Sequence, residues 1–270
     1  MTQKDIAGKG HWDDFYRVRA GTQAVWAPSS HGEDALEHAL VGEIERLKPR
    51  TLLEVGCGDS TWLPYLALRT GASVTGVDYS QDGCEMARRR LDAQGVAGSV
   101  VCADVLAADP EEVGQFDFVY SLGLVEHFTD LKGILTTLLK FVRPGGALFT
   151  EVPNLLSLHG LMVWAWQPEL MAKHETISRR RMARAYEEIG LEDVRAHYLG
   201  VFSFGIVSWE NYPRWPRLVP RVLPRVYRLH QRVDPMLRRL GTFRGTAPLA
   251  PYVYAVGRKP SPERGRAGEV

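Results

Sequence analysis

The chain has 270 residues, of which 45% are hydrophobic and 24% are charged, and its formal net charge is +1. This composition is typical of a globular protein with a large core, and it excludes collagen-like and low-complexity chains. The near-neutral charge gives no general attraction to nucleic acid or to an anionic membrane, so such a partner would need a local basic patch.

Apolar runs separated by amphipathic segments predict a series of buried β-strands and helices. The runs are TLLEVG (51–56), SVTGVD (73–78), SVVCAD (99–104), FDFVYSL (116–122), ALFTEV (147–152), LEDVRAHYLGV (191–201) and PYVYAVGRK (251–259). The first five are apolar enough to be buried on both faces, which is typical of strands in a parallel sheet. The alternation therefore predicts an α/β fold with seven strands.

Capping residues and glycines set the expected bounds of the helices. Ser60 or Thr61, Ser80 and Ser178 begin predicted helices that end near Gly71, Gly95 and Gly190. Residues 129–142 have apolar side chains at helical spacing, and we expect the following Arg-Pro-Gly-Gly to stop that helix.

The carboxyl ends of the first three strands have the residues of a ligand site, because ligands of open parallel sheets bind at that edge. The first strand ends in a Gly-x-Gly turn, where Gly56 and Gly58 let the backbone approach a ligand closely. The second ends at Asp78, twenty residues after Gly58, a spacing at which a carboxylate can accept hydrogen bonds from ribose hydroxyls. Asp104 ends the third strand as a further acceptor.

This ordered set, with Glu54 before the turn and RPGGALF (143–149) leading the fifth strand, resembles the class I S-adenosylmethionine-dependent methyltransferases. The resemblance covers about residues 45–155. It implies a seven-stranded, mostly parallel Rossmann-like methyltransferase sheet with helices on both faces and a helical lid. It also implies S-adenosyl-L-methionine as the cofactor, and it leaves the acceptor open.

The family's roles can be carried over to the methionine end of the cofactor residue by residue. Gly56, Cys57 and Gly58 are expected to line that end, and Glu54 to orient the amino group. Tyr16, in a segment that resembles the family's N-terminal helix, is expected near the cofactor's carboxylate, although its spacing from Trp12 also fits simple helix packing.

For the nucleoside, the resemblance implies that Asp78 holds the ribose and that Tyr79 covers the adenine. Asp104 and the backbone of Val105 are expected to bind the adenine edge. A dinucleotide-dependent dehydrogenase has the same acidic spacing. Trp62 disfavours it, because this bulky residue stands where a dinucleotide site needs a third small one.

The stretch SLGLVEHFTD (121–130) follows the fourth strand. The resemblance implies that Ser121 and Leu122 lie beside the sulfonium. His127 is a candidate general base for a hydroxyl acceptor, since an ordinary pKa of about 6.5 suits proton removal near neutrality. The alternative is a scaffold role in which the acidic-His pair anchors the helix start. His174 is a second catalytic candidate. The sequence predicts no metal site, because Glu126 and His127 alone are too few ligands.

Segments outside the core are expected to cover the acceptor. We predict N-terminal lid helices over 1–45, a core over 46–200 and 248–260 with a lid insertion at 154–177, and a basic, aromatic lid insertion over 201–247. The candidate substrate contacts are Trp26, Asn154, Trp164, His174, Phe204 and Trp209. The alternative is that these aromatic residues fill a small core within the lid.

Arginines recur at helical spacing within residues 214–240, where Pro216, Pro220 and Pro224 forbid one continuous helix. Short helices beginning near Pro224 and at Asp234 are predicted instead. A solvated face over a buried stripe is one interpretation, and weak peripheral membrane contact is the other. No Asn/Asp-Pro-Pro-aromatic motif follows the fourth strand, so no nucleic-acid partner is predicted.

The remaining sequence patterns concern the compartment of the cell in which the protein is found. The longest apolar stretch, 158–166, is about half of the roughly 20 residues that cross a bilayer, and the N-terminus lacks a secretory signal. Cys57, Cys84 and Cys102 form no CxxC pair, which favours a reducing cytoplasm. We predict a disordered tail at 261–270, and the sequence does not indicate an oligomeric state.

Taken together, these patterns predict a methyltransferase acting on an oxygen or nitrogen of a small, partly apolar metabolite or natural product. Use of the same cofactor on a lipid-like substrate, or for cyclisation of its aminobutyryl arm, is the alternative among enzymes. A cofactor-binding regulatory or scaffold subunit is the alternative outside them.

Overall fold

The structure is a computed structural model that describes residues 5–19, 31–201, 228–229, 232–239 and 244–261. Its described residues form a seven-stranded sheet with the strand order β3-β2-β1-β4-β5-β7-β6. The strands are Thr51–Val55 (β1), Ser73–Asp78 (β2), Gly98–Cys102 (β3), Phe116–Leu122 (β4), Val142–Pro153 (β5), Glu192–Leu199 (β6) and Tyr252–Arg258 (β7).

Helices connect most of these strands within the described chain. They are Lys9–Arg19 (α1), His31–Leu47 (α2), Trp62–Thr70 (α3), Gln81–Ala93 (α4), Pro110–Val113 (α5), Leu131–Lys140 (α6), Leu158–Trp166 (α7), Pro168–Met171 (α8) and Arg179–Glu188 (α9). A 3-10 turn, Val125–His127, follows β4. The predicted α/β fold with a mostly parallel sheet is confirmed.

Strand order determines where a ligand can enter. β1 pairs in parallel with both β2 and β4, while β3 continues the sheet beyond β2 and β5 continues it beyond β4. The chain therefore reverses its direction of winding beside β1, and the loops after β1 and β4 diverge there to leave a crevice. β7 lies between β5 and β6 and is antiparallel to both.

Two apolar layers cover the faces of the sheet. On one face, α6 and α9 bury Ile134 and Tyr186 against the strands. On the other, α2, α3 and α4 contribute Leu40, Leu63 and Ala87 to a second cluster. Residues 31–47 of the predicted lid thus form a helix whose apolar side chains pack in the core.

The expected capping residues cap the helices of the core. The hydroxyls of Ser60, Ser80 and Ser178 each accept a hydrogen bond from a backbone N–H in the first turn of α3, α4 and α9. Gly71 ends α3 with a φ of +72°. Because a side-chain acceptor satisfies a backbone donor that the helix leaves unpaired, these helix starts follow from local sequence.

One helix stop and two strand bounds differ from expectation. α6 ends at Lys140, and Arg-Pro-Gly-Gly lies within β5, which begins at Val142. Val142 pairs with Phe116, and a register shift between Phe116 and Phe118 accommodates the proline and glycines as an irregularity of the strand. β3 spans 98–102, so Asp104 lies just beyond it.

Several predictions concern residues outside the sheet and its connecting helices. Trp26, Phe204 and Trp209 lie outside the described residues, as does most of the basic stretch 214–240. Residues 232–239 are helical, so Asp234 lies within that helical stretch and is not its start. Among the described helices, none has both the length and the hydropathy that crossing a membrane requires.

Candidate functional site

A cavity of about 810 Å³, including the part open to solvent, lies at the carboxyl ends of the parallel strands. The cavity brings together eight of the residues predicted for the site, namely Tyr16, Gly56, Asp78, Tyr79, Asp104, Val105, Leu122 and His127. The loops after β1, β2, β3 and β4 contribute these residues together with α1.

Asp78 holds the turn after β1 in place. Its carboxylate oxygens accept hydrogen bonds from the backbone N–H groups of Gly58 and Ser80, each at 2.8 Å. Burial raises the pKa of Asp78 above its usual value, although these backbone donors oppose the effect. A carboxylate has about four acceptor positions, so Asp78 keeps capacity for ligand hydroxyls.

Tyr16 of α1 packs onto the same turn. A Cβ built on Gly58, whose φ is +40°, would lie 1.9 Å from the Tyr16 hydroxyl oxygen. Tyr16 is buried, and its ring stacks at 6.3 Å between centroids on Trp12, another residue of the cavity wall. The N-terminal helix therefore covers the glycine turn, and glycine at position 58 makes this close approach sterically feasible.

Of the residues predicted at the methionine end, Glu54, Cys57 and Gly58 do not line the cavity. The Glu54 carboxylate accepts hydrogen bonds from Ser60 Oγ at 2.6 Å and from the Tyr120 hydroxyl at 3.0 Å. Burial raises the pKa of Glu54 to about 8. Cys57 packs against Gly76, and burial raises the pKa of its thiol.

The nucleoside end is formed by the loops after β2 and β3. The Tyr79 hydroxyl hydrogen-bonds to the carboxylate of Asp5, which reaches the cavity from the N-terminal segment. Asp104 is exposed at the cavity, where its Oδ1 accepts the backbone N–H of Leu106 at 2.9 Å. Val105 and Leu106 add apolar wall beside these acceptors. The arrangement suits an aromatic base with polar edges.

The two residues predicted beside the sulfonium, both at the end of β4, differ in whether they line the cavity. Leu122 lines the cavity, whereas Ser121 is fully buried and does not. No hydrogen-bond partner for the Ser121 hydroxyl lies among the described residues. Because side chains alternate between the faces of a strand, consecutive residues of β4 point to opposite sides.

His127 and His174, the two catalytic candidates, lie together with ring centroids 4.5 Å apart. Burial lowers the pKa of His127 to about 4, with a further contribution from His174, and burial also lowers the pKa of His174. The expectation of an ordinary pKa near 6.5 for His127 was therefore wrong. Its ring is uncharged at neutral pH, and it is a weaker base than the sequence suggests.

Three buried carboxyl and hydroxyl groups lie in β4, in the turn that follows it and in β5. Glu126 Oε2, Glu151 Oε1 and Ser121 Oγ have no hydrogen-bond partner in the described chain. Burial raises the pKa of Glu126 to about 8, and it raises that of Glu151 well above its usual range. Unsatisfied buried oxygens are rare in proteins, so this end of the site stands out.

Two further substrate candidates among the described residues, Asn154 and Trp164, lie away from the cavity. Asn154 is buried, and its amide donates hydrogen bonds to the carbonyls of Ala247 and Ala250 at 2.9 and 3.0 Å. Trp164 is 64% exposed on α7. Neither residue lines the cavity, because Asn154 ties the end of β5 to the turn before β7 and Trp164 points outward.

Sequence reasoning missed Asp5, Leu124, Phe128 and Glu151. The first three line the cavity, and no local pattern marks them. The sequence does contain a signal for Glu151, because a carboxylate inside the apolar run ALFTEV is unusual for a buried strand.

A family model described as a methyltransferase domain matches residues 33–196. A ubiquinone biosynthesis O-methyltransferase from Marinobacter nauticus is 31% identical over 53% of this chain and 62% of that protein. One from Rhizobium etli is 34% identical over 47% of this chain and 54% of that protein. This chain thus spans less than two thirds of the length of either curated relative.

A solved structure of a SAM-dependent methyltransferase from Archaeoglobus fulgidus is similar with a TM-score of 0.53 and 19% identity. The match covers 84% of this chain and 94% of that one, and at this identity it indicates the fold alone. The family match extends over more than half of the residues and includes the strands and loops that form most of the cavity. The chain belongs to the methyltransferase domain family.

Proposed function

We propose that this protein transfers a methyl group from S-adenosyl-L-methionine to an oxygen of a small, partly apolar molecule. The observation that carries the proposal is the cavity at the ends of β1, β2 and β3, with Asp78 and Asp104 as acceptors beside Gly56 and Tyr79. The mixture of apolar walls and carboxylates in the cavity fits a nucleoside that bears an amino-acid arm.

When bound, the cofactor supplies an electrophilic methyl group on sulfur. The chain's own task is then positioning, because an in-line displacement needs the two reactants aligned and water kept out. Asp78 orients the ribose hydroxyls, and Tyr79, Val105 and Leu106 enclose the base. Tyr16 meets the carboxylate of the amino-acid arm after a shift of α1 away from Gly58.

Oxygen is the acceptor atom we favour, because the curated relatives are named as O-methyltransferases. The end of the cavity near β4 is lined by Trp12, Leu124 and Phe128 with His127 among them. Apolar side chains with one polar group suit an aromatic or otherwise apolar alcohol. His127 is uncharged there, and burial holds its pKa too low for an efficient general base.

The proposal includes the layout of the chain around the core. Residues 46–200 and 248–260 form the methyltransferase core, and α1, residues 154–177 and residues 201–247 cover the acceptor. Trp26, Phe204 and Trp209 remain candidates for that cover.

The test is calorimetry with S-adenosylhomocysteine on the wild type and on Asp78→Asn. We expect the wild type to bind and the variant to bind about 10-fold or more weakly, because a hydrogen bond to a charged group contributes about 1.5–3 kcal/mol. Asp92→Asn is the matched control, since Asp92 is an exposed aspartate on α4 and its replacement should leave the affinity unchanged.

Transfer of a labelled methyl group to a panel of phenols, catechols and amines then identifies the acceptor class. Absence of nucleoside binding by the wild type would overturn the proposal. Binding with methylation of amines alone would overturn only the choice of oxygen.

A further inference from the structure

Glu126, His127 and His174 bring three potential metal ligands together at the end of β4. One ligand atom from each residue lies within 4.8 Å of the other two. Glu126 and His127 come from the 3-10 turn after β4, and His174 comes from the segment after α8. Among the described residues, this is the one group of three or more such side chains at that spacing.

Hydrogen bonds fix which nitrogen each histidine offers. Nδ1 of His127 lies 2.8 Å from the carbonyl oxygen of Lys173, and Nδ1 of His174 lies 2.7 Å from that of Leu170. A carbonyl only accepts, so both Nδ1 atoms carry the proton and both Nε2 atoms keep a free lone pair. Histidines that bind metals are usually held in this way, by a carbonyl or carboxylate on the other ring nitrogen.

Glu126 completes the set with a carboxylate that the protein leaves unsatisfied. The side chain is 1% exposed, and its Oε2 has no hydrogen-bond partner in the described chain. Its Oε1 lies 3.6 Å from the position of a Cβ built on Gly123, a residue of the cavity wall. A buried carboxylate without a partner costs folding free energy unless a ligand compensates it.

The backbone around the cluster is tied at two places. The N–H of Glu175 donates to the carbonyl of Glu126 at 2.6 Å, and the N–H of Ile6 donates to that of His127 at 2.8 Å. The edge of the Trp12 ring faces His127, with centroids 5.0 Å apart. Three chain segments therefore hold the turn after β4, which limits the cost of ordering the ligands when an ion binds.

We propose that Glu126, His127 and His174 bind a divalent first-row transition-metal ion. Two imidazole nitrogens and one carboxylate suit Zn²⁺ and its neighbours, whereas Mg²⁺ prefers oxygen ligands alone. Ligand atoms around Zn²⁺ lie at about 2.0–2.2 Å from the ion, so the three side chains draw together when it binds.

The ion's role rests on the proposed function. Three protein ligands leave at least one coordination position open, as in catalytic zinc sites. Because His127 lines the cavity, that position is available to the acceptor's oxygen. A bound ion would lower the pKa of a coordinated hydroxyl, whose proton would leave to water at the open side of the cavity before the oxygen takes the methyl group.

The test is metal binding by the full chain, measured without any substrate. After incubation with Zn²⁺ and dialysis, we expect about one equivalent of zinc per chain by elemental analysis. Co²⁺ should give a visible absorption band typical of nitrogen and oxygen ligands in a low-coordinate site. Glu126→Gln, a neutral isostere that should fold normally, and His174→Ala should each weaken Zn²⁺ binding about 100-fold or more, beyond the 10–100-fold typical of outer-shell partners.

His38→Gln is the matched control, because His38 is an exposed histidine outside the cluster and its loss should leave zinc binding unchanged. Calorimetry with S-adenosylhomocysteine separates this inference from the proposed function. If the chain binds the nucleoside but not stoichiometric zinc, the metal site is overturned and the proposed function stands. If it binds zinc but not the nucleoside, the proposed function is overturned and the metal site stands. Retention of zinc by Glu126→Gln and His174→Ala, or binding of Mg²⁺ alone, would also contradict the site.

Discussion

Gly58 packs against Tyr16, a residue of the cavity wall, and leaves no room for a side chain at position 58. Replacing Gly58 by alanine should cost about 1–2 kcal/mol in backbone strain, because its φ of +40° is left-handed. The new Cβ must also displace the Tyr16 hydroxyl from its place 1.9 Å away. We expect Gly58→Ala to lower the unfolding midpoint in urea and to weaken S-adenosylhomocysteine binding about 10-fold or more.

Gly71→Ala is the control for this prediction. Gly71 also has a positive φ of +72°, but nothing lies within 4 Å of its Cβ position. Gly71→Ala should therefore lower the free energy of unfolding by a similar amount through backbone strain. It should leave the affinity for S-adenosylhomocysteine unchanged. Adding Tyr16→Ala to Gly58→Ala should recover part of the lost stability, because it removes the ring that the new Cβ displaces. If the changes in unfolding free energy of the two single variants simply add in the double variant, the contact between the two residues is contradicted.

Glu54 shows why a residue's role is hard to predict from its place in a motif. Its position before the Gly-x-Gly turn favours contact with a ligand's amino group. In the fold its carboxylate is 4% exposed and already binds Ser60 and Tyr120. Tyr120 is 66 residues away in sequence, so no local pattern reveals this partner.

At the scale of elements, Asp117 joins three neighbouring strands. Its carboxylate accepts hydrogen bonds from the backbone N–H groups of Arg50 and Thr51 before and within β1, at 2.9 and 3.0 Å. Arg143 of β5 adds an ion pair at 3.0 Å. Partial burial raises the pKa of Asp117, but hydrogen bonds from Arg143, Arg50 and Thr51 outweigh it and hold the pKa below its usual value.

The sign of the pH dependence follows from that lowered pKa. The unfolded chain binds a proton at Asp117 near pH 4, before the folded chain does, so the stabilisation is present above that pH and is lost as pH falls through the folded pKa. Asp117→Asn should destabilise the protein by about 1 kcal/mol at pH 7, allowing for solvent screening. Urea midpoints should show the gap to the wild type closing below about pH 4.

Asp92→Asn serves as the control here too, because this exposed aspartate makes no comparable connection between strands. Its midpoint should follow that of the wild type throughout. A gap for Asp117→Asn that stays constant down to acid pH would contradict the assignment.

The elements that sequence predicts well are those coded locally. Periodic apolar runs located all seven strands, and serines marked the starts of α3, α4 and α9. Arg-Pro-Gly-Gly misled because glycine and proline usually end a helix, whereas here the pairing of Val142 with Phe116 draws them into β5. That pairing is a tertiary contact, and tertiary contacts override local propensity.

In the molecule as a whole, one half of the candidate site can be predicted from the sequence and the other half cannot. The nucleoside half is built from successive strand ends, so topology alone places Gly56, Asp78 and Asp104 together. The half near β4 joins His127 to Lys173, 46 residues away, and Glu126 to Glu175. Such contacts depend on how long connections fold back over the sheet.

The N-terminal segment contacts the cavity wall, α4 and the segment after α8, and it lies outside the core. No residue of 5–19 belongs to either apolar cluster of the described chain, while Asp5, Trp12 and Tyr16 line the cavity. Removing residues 1–19 should therefore leave the sheet folded by far-ultraviolet circular dichroism. We expect S-adenosylhomocysteine binding to weaken about 10-fold or more, because one wall of the site is gone.

Removal of residues 262–270 is the control, since these lie beyond the last residue of the described sheet region. It should change neither the spectrum nor the affinity. Loss of the folded spectrum on removing 1–19 would contradict the separation between cavity wall and core.

The position of β7 has a consequence for the order in which the chain can fold during synthesis. β6 forms its sheet hydrogen bonds with β7, and β7 in turn pairs with β5. When Leu199 leaves the ribosome, β6 has no partner until residues 252–258 have also emerged. The parallel half of the sheet can assemble early, whereas the antiparallel half must wait for the last strand. A nascent or truncated chain lacking β7 would expose the edges of both β5 and β6, which makes it a target for aggregation and quality-control proteases.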